Sequence, residues 1–406
     1  MILKAVSPFH DPLSPTLTKL QAIIDEYVPH QVPAVTLSVW DRNGERDTRA
    51  WGVIDPETRQ IPVTADTLFD LASVTKIYVT TALLMLIGQG KVVLDDPLVT
   101  VIPEFGGARR LIDGGQDPHT KQPLPTPTPL AGQFADPTII TFRHLLTHTS
   151  GIAPWRDVYN AAGSMPTPLH ESDPIDKHTR WKRAIAAICE YPFVAHPDGV
   201  IRYSDLGLML LGECIARLVG QPLDVALSNL LSPYIENMPL FNPVREHGIL
   251  LDQIAPTEDD PKWRKRRVWG EVHDENTCGV GGVSGHAGYF ATVRGVSQLG
   301  HRWLTGTLPI PPELMQLATT PQAVNGNDRR GLGWMMKALV GSSAGDLFPP
   351  ETYGHTGFVG TSLYVDPING YVITLLTNAV YYGRDIMPSF EIRRAVHTVL
   401  AEELLA

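Results

Sequence analysis

From Ser73 to Gly88 the chain is apolar and nearly unbroken, with Tyr78-Val79-Thr80-Thr81-Ala82-Leu83-Leu84-Met85-Leu86-Ile87 at its centre. A surface helix carries one apolar stripe, whereas a run that is apolar all round must be buried on most sides. The pattern therefore predicts a central helix, stopped by Gly88 and Gly90. Any fold that holds it must pack other elements around it. Ser73 and Lys76 stand at its start, and a lysine at the head of an apolar run needs a reason to be there.

The flanking sequence supplies those other elements. Leu17 to Tyr27 has helical spacing. Ala34 to Trp40 and Arg49 to Val53 read as strands, joined by a tight turn at Asp41-Arg42-Asn43-Gly44. Helical signals dominate from Thr141 to about Leu231, clearest at Arg180–Glu190 and Leu206–Leu218. Strand signals return after Val280, in Glu351–Gly357, Thr361–Asp366 and Tyr371–Asn378, with a hairpin turn at Asn369-Gly370. A last helix runs from Glu391 to Leu405. Strands at both ends and helices between predict an α/β (α+β) fold, an antiparallel sheet flanked by helices with an inserted helical lobe. The expected lobes are residues 1–75 with 275–406, and 76–274. Residues 106–137 carry Pro118, Pro123, Pro125, Pro127 and Pro129 and read as a loop, either a surface insertion or a lid over a pocket.

Composition narrows the function. A length of 406 residues predicts two lobes. A net charge of −10 lacks the basic footprint of a nucleic-acid binder. The basic run Lys262–Arg267 follows the acidic run Glu258–Asp260 and reads as a solvated loop. Cys189, Cys214 and Cys278 form no Cys-x-x-Cys pair, and an odd count argues against a disulfide framework. No apolar stretch is long enough to span a membrane, and Met1 to Val39 does not read as a signal peptide, so a cytoplasmic location is expected.

Three short elements could carry chemistry. In Ser73-Val74-Thr75-Lys76 the hydroxyl and amine lie one helical turn apart on one face. A serine hydroxyl needs a base to act as nucleophile. Burial and the helix N-terminus both predict a lowered lysine pKa, which suits that role. Tyr203-Ser204-Asp205 precedes a helix. Its phenol could relay a proton if a neighbouring ammonium lowers its pKa, and Asp205 suits an N-cap. In His355-Thr356-Gly357-Phe358, Thr356 can bond a substrate carbonyl or carboxylate, Gly357 permits close approach, and the Phe358 N–H could face an oxyanion.

The three elements in this order resemble the serine β-lactamase and penicillin-binding protein superfamily, with its Ser-x-x-Lys, Tyr-x-Asn and Lys-Thr-Gly signature. The chain looks most like the β-lactamase-related, class C-like hydrolases, which include esterases and D-aminopeptidases. Phe69–Ser73, His144–Gly151 and Gly282–Gly288 add to the likeness, which spans Ala34 to Leu400. The resemblance implies that Ser73 is acylated, that Lys76 and Tyr203 handle the proton, and that the Ser73 and Phe358 N–H groups form an oxyanion hole. It implies no cofactor and no metal. Asp205 stands in place of Asn, and an ionised carboxylate cannot donate to a substrate carbonyl. His355 stands in place of Lys, and a neutral imidazole binds a carboxylate less well. Both departures favour small esters or amides over β-lactams. Two other readings stand beside this one: a penicillin-binding D-alanyl-D-alanine carboxypeptidase or weak β-lactamase, and a non-catalytic scaffold.

Other residues suggest less. His273-Asp274-Glu275-Asn276, read at strand spacing, would send neighbouring side chains to opposite faces and hold no metal. His144 and His148 could share a helix face, but no Glu follows His144. Ser284 lacks the second glycine of Gly-x-Ser-x-Gly.

Overall fold

The computed structural model describes residues 15–406 apart from His119, Pro127 and Ile386. The segment before Pro15, and Pro127 of the proline-rich stretch, lie outside the described residues. The architecture is the mixed α/β arrangement that the element order predicts, with one large antiparallel sheet flanked by helices.

The sheet has eight strands: β1 (Ala34–Asp41), β2 (Gly44–Gly52), β3 (Ala323–Asn325), β4 (Asp328–Arg330), β5 (Met335–Met336), β6 (Tyr353–Thr356), β7 (Ser362–Asp366) and β8 (Tyr371–Thr377). Their order is β2-β1-β8-β7-β6-β5-β4-β3, so the first hairpin pairs directly with the last one. In the first hairpin Asn43 N–H bonds Asp41 Oδ1 at 2.7 Å, which tightens the turn and starts β2 at Gly44 rather than at Arg49. At the second turn Asp366 Oδ1 accepts from the N–H groups of Ile368 and Asn369. Strands β3 to β5 are only two or three residues long, and they carried no strand signal in the sequence.

Alternation along the central strands makes two apolar faces. Val35, Leu37 and Val39 of β1 and Ile373 and Leu375 of β8 pack with Leu20 and Ile24 of α1 (Pro15–Tyr27) and with Ile392, Val396 and Leu400 of the last helix. Val372 and Leu376, on the opposite face, join the main core.

The predicted central helix is α2 (Thr75–Gly88), and every residue from Thr75 to Leu86 is buried. It packs against α4 (Asp205–Val219) and the Leu223–Leu231 helix, and α4 in turn packs on α3 (Lys177–Glu190). Leu83, Leu84 and Leu86 each contribute about 1.5–3 kcal/mol relative to exposure. The N-cap of α4 is Ser204, whose Oγ accepts from Gly207 N–H at 3.2 Å; Asp205, expected as the cap, is already helical and its side chain is left for other work.

The helix α6 (Val293–Thr305) lies on the main-core face of the sheet, and Trp303 of α6 donates to Thr81 Oγ1 of α2 at 3.0 Å. The short helix α5 (Glu275–Gly279) precedes α6, and α7 (Met387–Leu404) is the last helix of the chain. Among the described residues no single helix is long and apolar enough to cross a membrane. All three cysteines are buried and unpaired.

The basic run is not a solvated loop throughout. Asp260 accepts from the N–H groups of Lys262, Trp263 and Arg264, which folds the run back on itself. Arg264 is buried and donates to the carbonyls of Val272 and His273, both at 2.9 Å.

Candidate active site

The turn that carries Ser73 is built tightly. Phe69-Asp70 pairs antiparallel with Phe290-Ala291, then Ala72 takes a φ of 45° and a short 3-10 turn leads into α2. A positive φ is unusual for a residue with a Cβ. Lys76 lies one turn on and is 1% exposed. Its Nζ donates to Ser73 Oγ at 2.8 Å and to the His286 carbonyl at 2.9 Å.

Asp205, at the start of α4, reaches the same amine, with Oδ1 at 2.8 Å from Lys76 Nζ. This contact is an ion pair between the buried amine and a half-buried carboxylate. The amine also sits 4.9 Å from the centre of the Tyr203 ring. Burial pushes the Lys76 amine down, as expected, but the Asp205 carboxylate and then Tyr203 outweigh it, and the net direction is up. Tyr203 is corrected in the same sense. Burial raises its phenol, Asp205 adds to that, and the opposing pull of Lys76 does not reverse it. The resting site therefore favours an ammonium and a neutral phenol.

His148, unused in the sequence reading, backs the tyrosine. It lies beyond the short Phe142–Leu146 helix, so it shares no helix face with His144. Its ring centre is 4.6 Å from that of Tyr203, and its Nδ1 accepts from Ser204 N–H at 3.1 Å. Burial, followed by the charges of Arg330 and Lys76, holds it well below the usual histidine range, so it is the neutral ring that accepts.

The third element divides. A cavity of about 330 Å³ is lined by Ser73, Tyr203, Asp205 and Phe358, whereas His355 and Thr356 lie outside its lining. His355 is buried on β6, with Nδ1 2.9 Å from the Thr356 carbonyl and Nε2 without a hydrogen-bond partner among the described residues. Burial, then Lys76, pushes it down to about 3, so it is neutral. Gly357 brings the two chain segments together, since a Cβ there would stand 2.5 Å from the Leu71 carbonyl oxygen.

One wall of the cavity was missed. His273, Asp274 and Glu275 all line it, because the chain turns there into α5 instead of running as a strand. Asp274 caps that helix, accepting from Thr277 N–H at 2.6 Å. The Asp-Glu pair ahead of a polar turn was the available signal. His286 is pinned between Ser284 Oγ and Asp274 Oδ1, both at 2.8 Å, which fixes the backbone whose carbonyl holds Lys76. No cluster of His, Cys, Asp or Glu among the described residues could hold a metal ion.

The far end is ionic. Arg384 lines the cavity and pairs with Glu258 and, at 2.8 Å, with Glu275. Burial raises the Glu258 carboxyl, but bonds from His273 and Arg384 hold it well below the usual carboxylate range. The proline-rich loop also contributes. Pro118 lines the cavity beside Trp155, and Lys121 sits 4.1 Å from the centre of the Trp155 ring and 3.4 Å from Glu275.

Residues 20–396 match the beta-lactamase family, and the chain belongs to that family. A relative from Escherichia coli K12, provisionally named D-alanyl-D-alanine carboxypeptidase, is 29% identical over 383 residues, covering 87% of this chain and 81% of the relative. Among solved structures, EstCE1, a hydrolase with promiscuous acyltransferase activity, superposes with a TM-score of 0.66 at 19% identity, over 94% of this chain and 98% of the other. Unliganded simvastatin synthase from Aspergillus terreus gives 0.69 at 17% identity, over 96% and 98%. A penicillin-binding protein homologue from Caulobacter crescentus gives 0.65 at 17% identity, over 95% and 98%. These likenesses show a shared fold.

Proposed function

We propose that the protein is a serine hydrolase that cleaves small esters or amides through an acyl-enzyme on Ser73. The observation that carries this reading is the 2.8 Å contact between Lys76 Nζ and Ser73 Oγ, with Ser73 lining the cavity. In the acylation step Ser73 Oγ bonds to the substrate carbonyl carbon, and its proton passes to the Lys76–Tyr203 pair. The leaving group departs with a proton returned from that pair. The Ser73 and Phe358 N–H groups hold the oxyanion, and water then releases the acid. Each oxyanion donor is worth about 3–4 kcal/mol in comparable hydrolases.

The base must be the minor, deprotonated form of the pair, because Asp205 favours the ammonium. The cavity wall, with Trp155, Pro118 and Phe358, suits an apolar acyl group. The test is the initial rate of p-nitrophenyl butyrate hydrolysis, with Ser73→Ala expected at the buffer rate. A Ser73→Ala protein as fast as the parent would sink the proposal. The relative's name supports a second reading, release of D-alanine from a D-alanyl-D-alanine peptide. Asp205 and the buried neutral His355 place it second, so slower turnover of that peptide than of the ester is expected. Faster turnover would reverse the order.

A further inference from the structure

Asp70 is a buried carboxylate with no part in the proposed chemistry, 2% exposed and three residues before Ser73. Its two oxygens hold two backbone donors from distant parts of the chain. Oδ1 accepts from Ala72 N–H at 2.7 Å, and Oδ2 accepts from His273 N–H at 2.6 Å. Ala72 is the residue with a left-handed φ directly before Ser73. Such conformations persist only where the surroundings over-determine them. Here the surroundings are Asp70 on Ala72 N–H and, on the residue between them, Thr361 Oγ1 donating to the Leu71 carbonyl at 2.9 Å and Leu71 N–H donating to the Tyr289 carbonyl at 2.8 Å.

The second donor leads to the other side of the site. The His273 ring stacks on Phe358, with centres 5.6 Å apart and planes 26° apart, and both residues line the cavity. One carboxylate therefore joins the turn that orients Ser73 to the wall that backs Phe358. Burial holds the Asp70 carboxyl above its usual range, and the bonds from the His273 and Ala72 N–H groups oppose that shift without reversing it.

We propose that Asp70 is a positioning residue that fixes the Ser73 turn and the Phe358 wall at the separation the tetrahedral intermediate needs. The proposal rests on the reading of Ser73 as nucleophile and of the Ser73 and Phe358 N–H groups as oxyanion donors. It makes the geometry of the oxyanion site, and not substrate affinity, the property that Asp70 controls.

Asp70→Asn tests this, because an amide offers one acceptor oxygen where two N–H donors must be met. With p-nitrophenyl butyrate the variant should lose about 100-fold in kcat, the size expected when an oxyanion donor is misplaced, with KM within about threefold of the parent. The inhibition constant of phenylboronic acid, which forms a tetrahedral adduct on a serine, should weaken in step with kcat. A variant with parental kcat, or one in which KM rises while boronate affinity holds, overturns the proposal. If Asp70→Asn does not fold, Ala72→Gly/Asp70→Asn replaces it, since glycine adopts the left-handed φ without strain. The same loss of kcat is then expected, and full recovery overturns the proposal. Ser73→Ala is measured alongside. An active Ser73→Ala refutes the nucleophile itself, whereas an inactive Ser73→Ala with a parental Asp70→Asn refutes only the role of Asp70.

Discussion

At the scale of single residues, Asp205 sets the proton balance of the site. Its carboxylate favours the ammonium of Lys76, so the free amine that the proposed mechanism needs is scarce near neutral pH. A base acts in its deprotonated form, and kcat/KM should therefore rise as pH rises through the raised pKa. Asp205→Asn removes the negative charge and lowers that pKa. The ascending limb of kcat/KM should therefore move to lower pH, which a pH profile of the variant against the parent reads. A limb that stays in place would mean that Lys76 is not the titrating group. Ser73, Lys76 and Tyr203 were legible as motifs because each sits at fixed spacing in a recognisable element. The direction of the Lys76 shift was not, because burial can be read from the apolar run alone, whereas the carboxylate that outweighs it arrives from α4 through the tertiary fold. His148, His286 and Asp274 were missed for the same reason, since each meets the site only through partners far away in sequence.

At the scale of elements, packing decides where sequence patterns can be trusted. The hairpins were readable from β-rich runs bounded by turn residues, and α2 from an apolar run too continuous for a surface helix. Strands β3 to β5 were not, because segments of two or three residues are held by their neighbours' ladders and are too short to show a pattern of their own. The His273–Asn276 stretch does not run at strand spacing but leads into α5, which turns His273, Asp274 and Glu275 to the cavity. Close approach of α6 to the sheet supplies a direct check. A Cβ at Gly300 would stand 2.6 Å from Val372 Cγ1 and 2.8 Å from Leu363 Cδ1. Gly300→Val should therefore destabilise the protein by about 1–3 kcal/mol through overpacking, seen as a lower thermal midpoint. An unchanged midpoint would show that α6 does not sit this close to β7 and β8.

At the scale of the whole molecule, the two ends of the chain close one sheet, and the helical stretch between them meets that sheet's last strands at the cavity. Ser73 comes from the start of the central helix, Asp205 and Tyr203 from the start of α4, and Phe358 from the segment after β6. The order of strands and helices made this architecture legible in sequence. The shape of the cavity was not, because its wall draws on Pro118 of an irregular loop whose path no local pattern specifies. The central claim is covalent chemistry at Ser73, and mass spectrometry reads it directly. The protein is mixed with p-nitrophenyl butyrate, quenched in acid within the first turnovers and digested, and the peptide containing Ser73 is weighed. A butyryl adduct is expected on Ser73 and is expected to be absent from Ser73→Ala. Ester turnover with no adduct on that peptide, or with the acyl group on another residue, would contradict it.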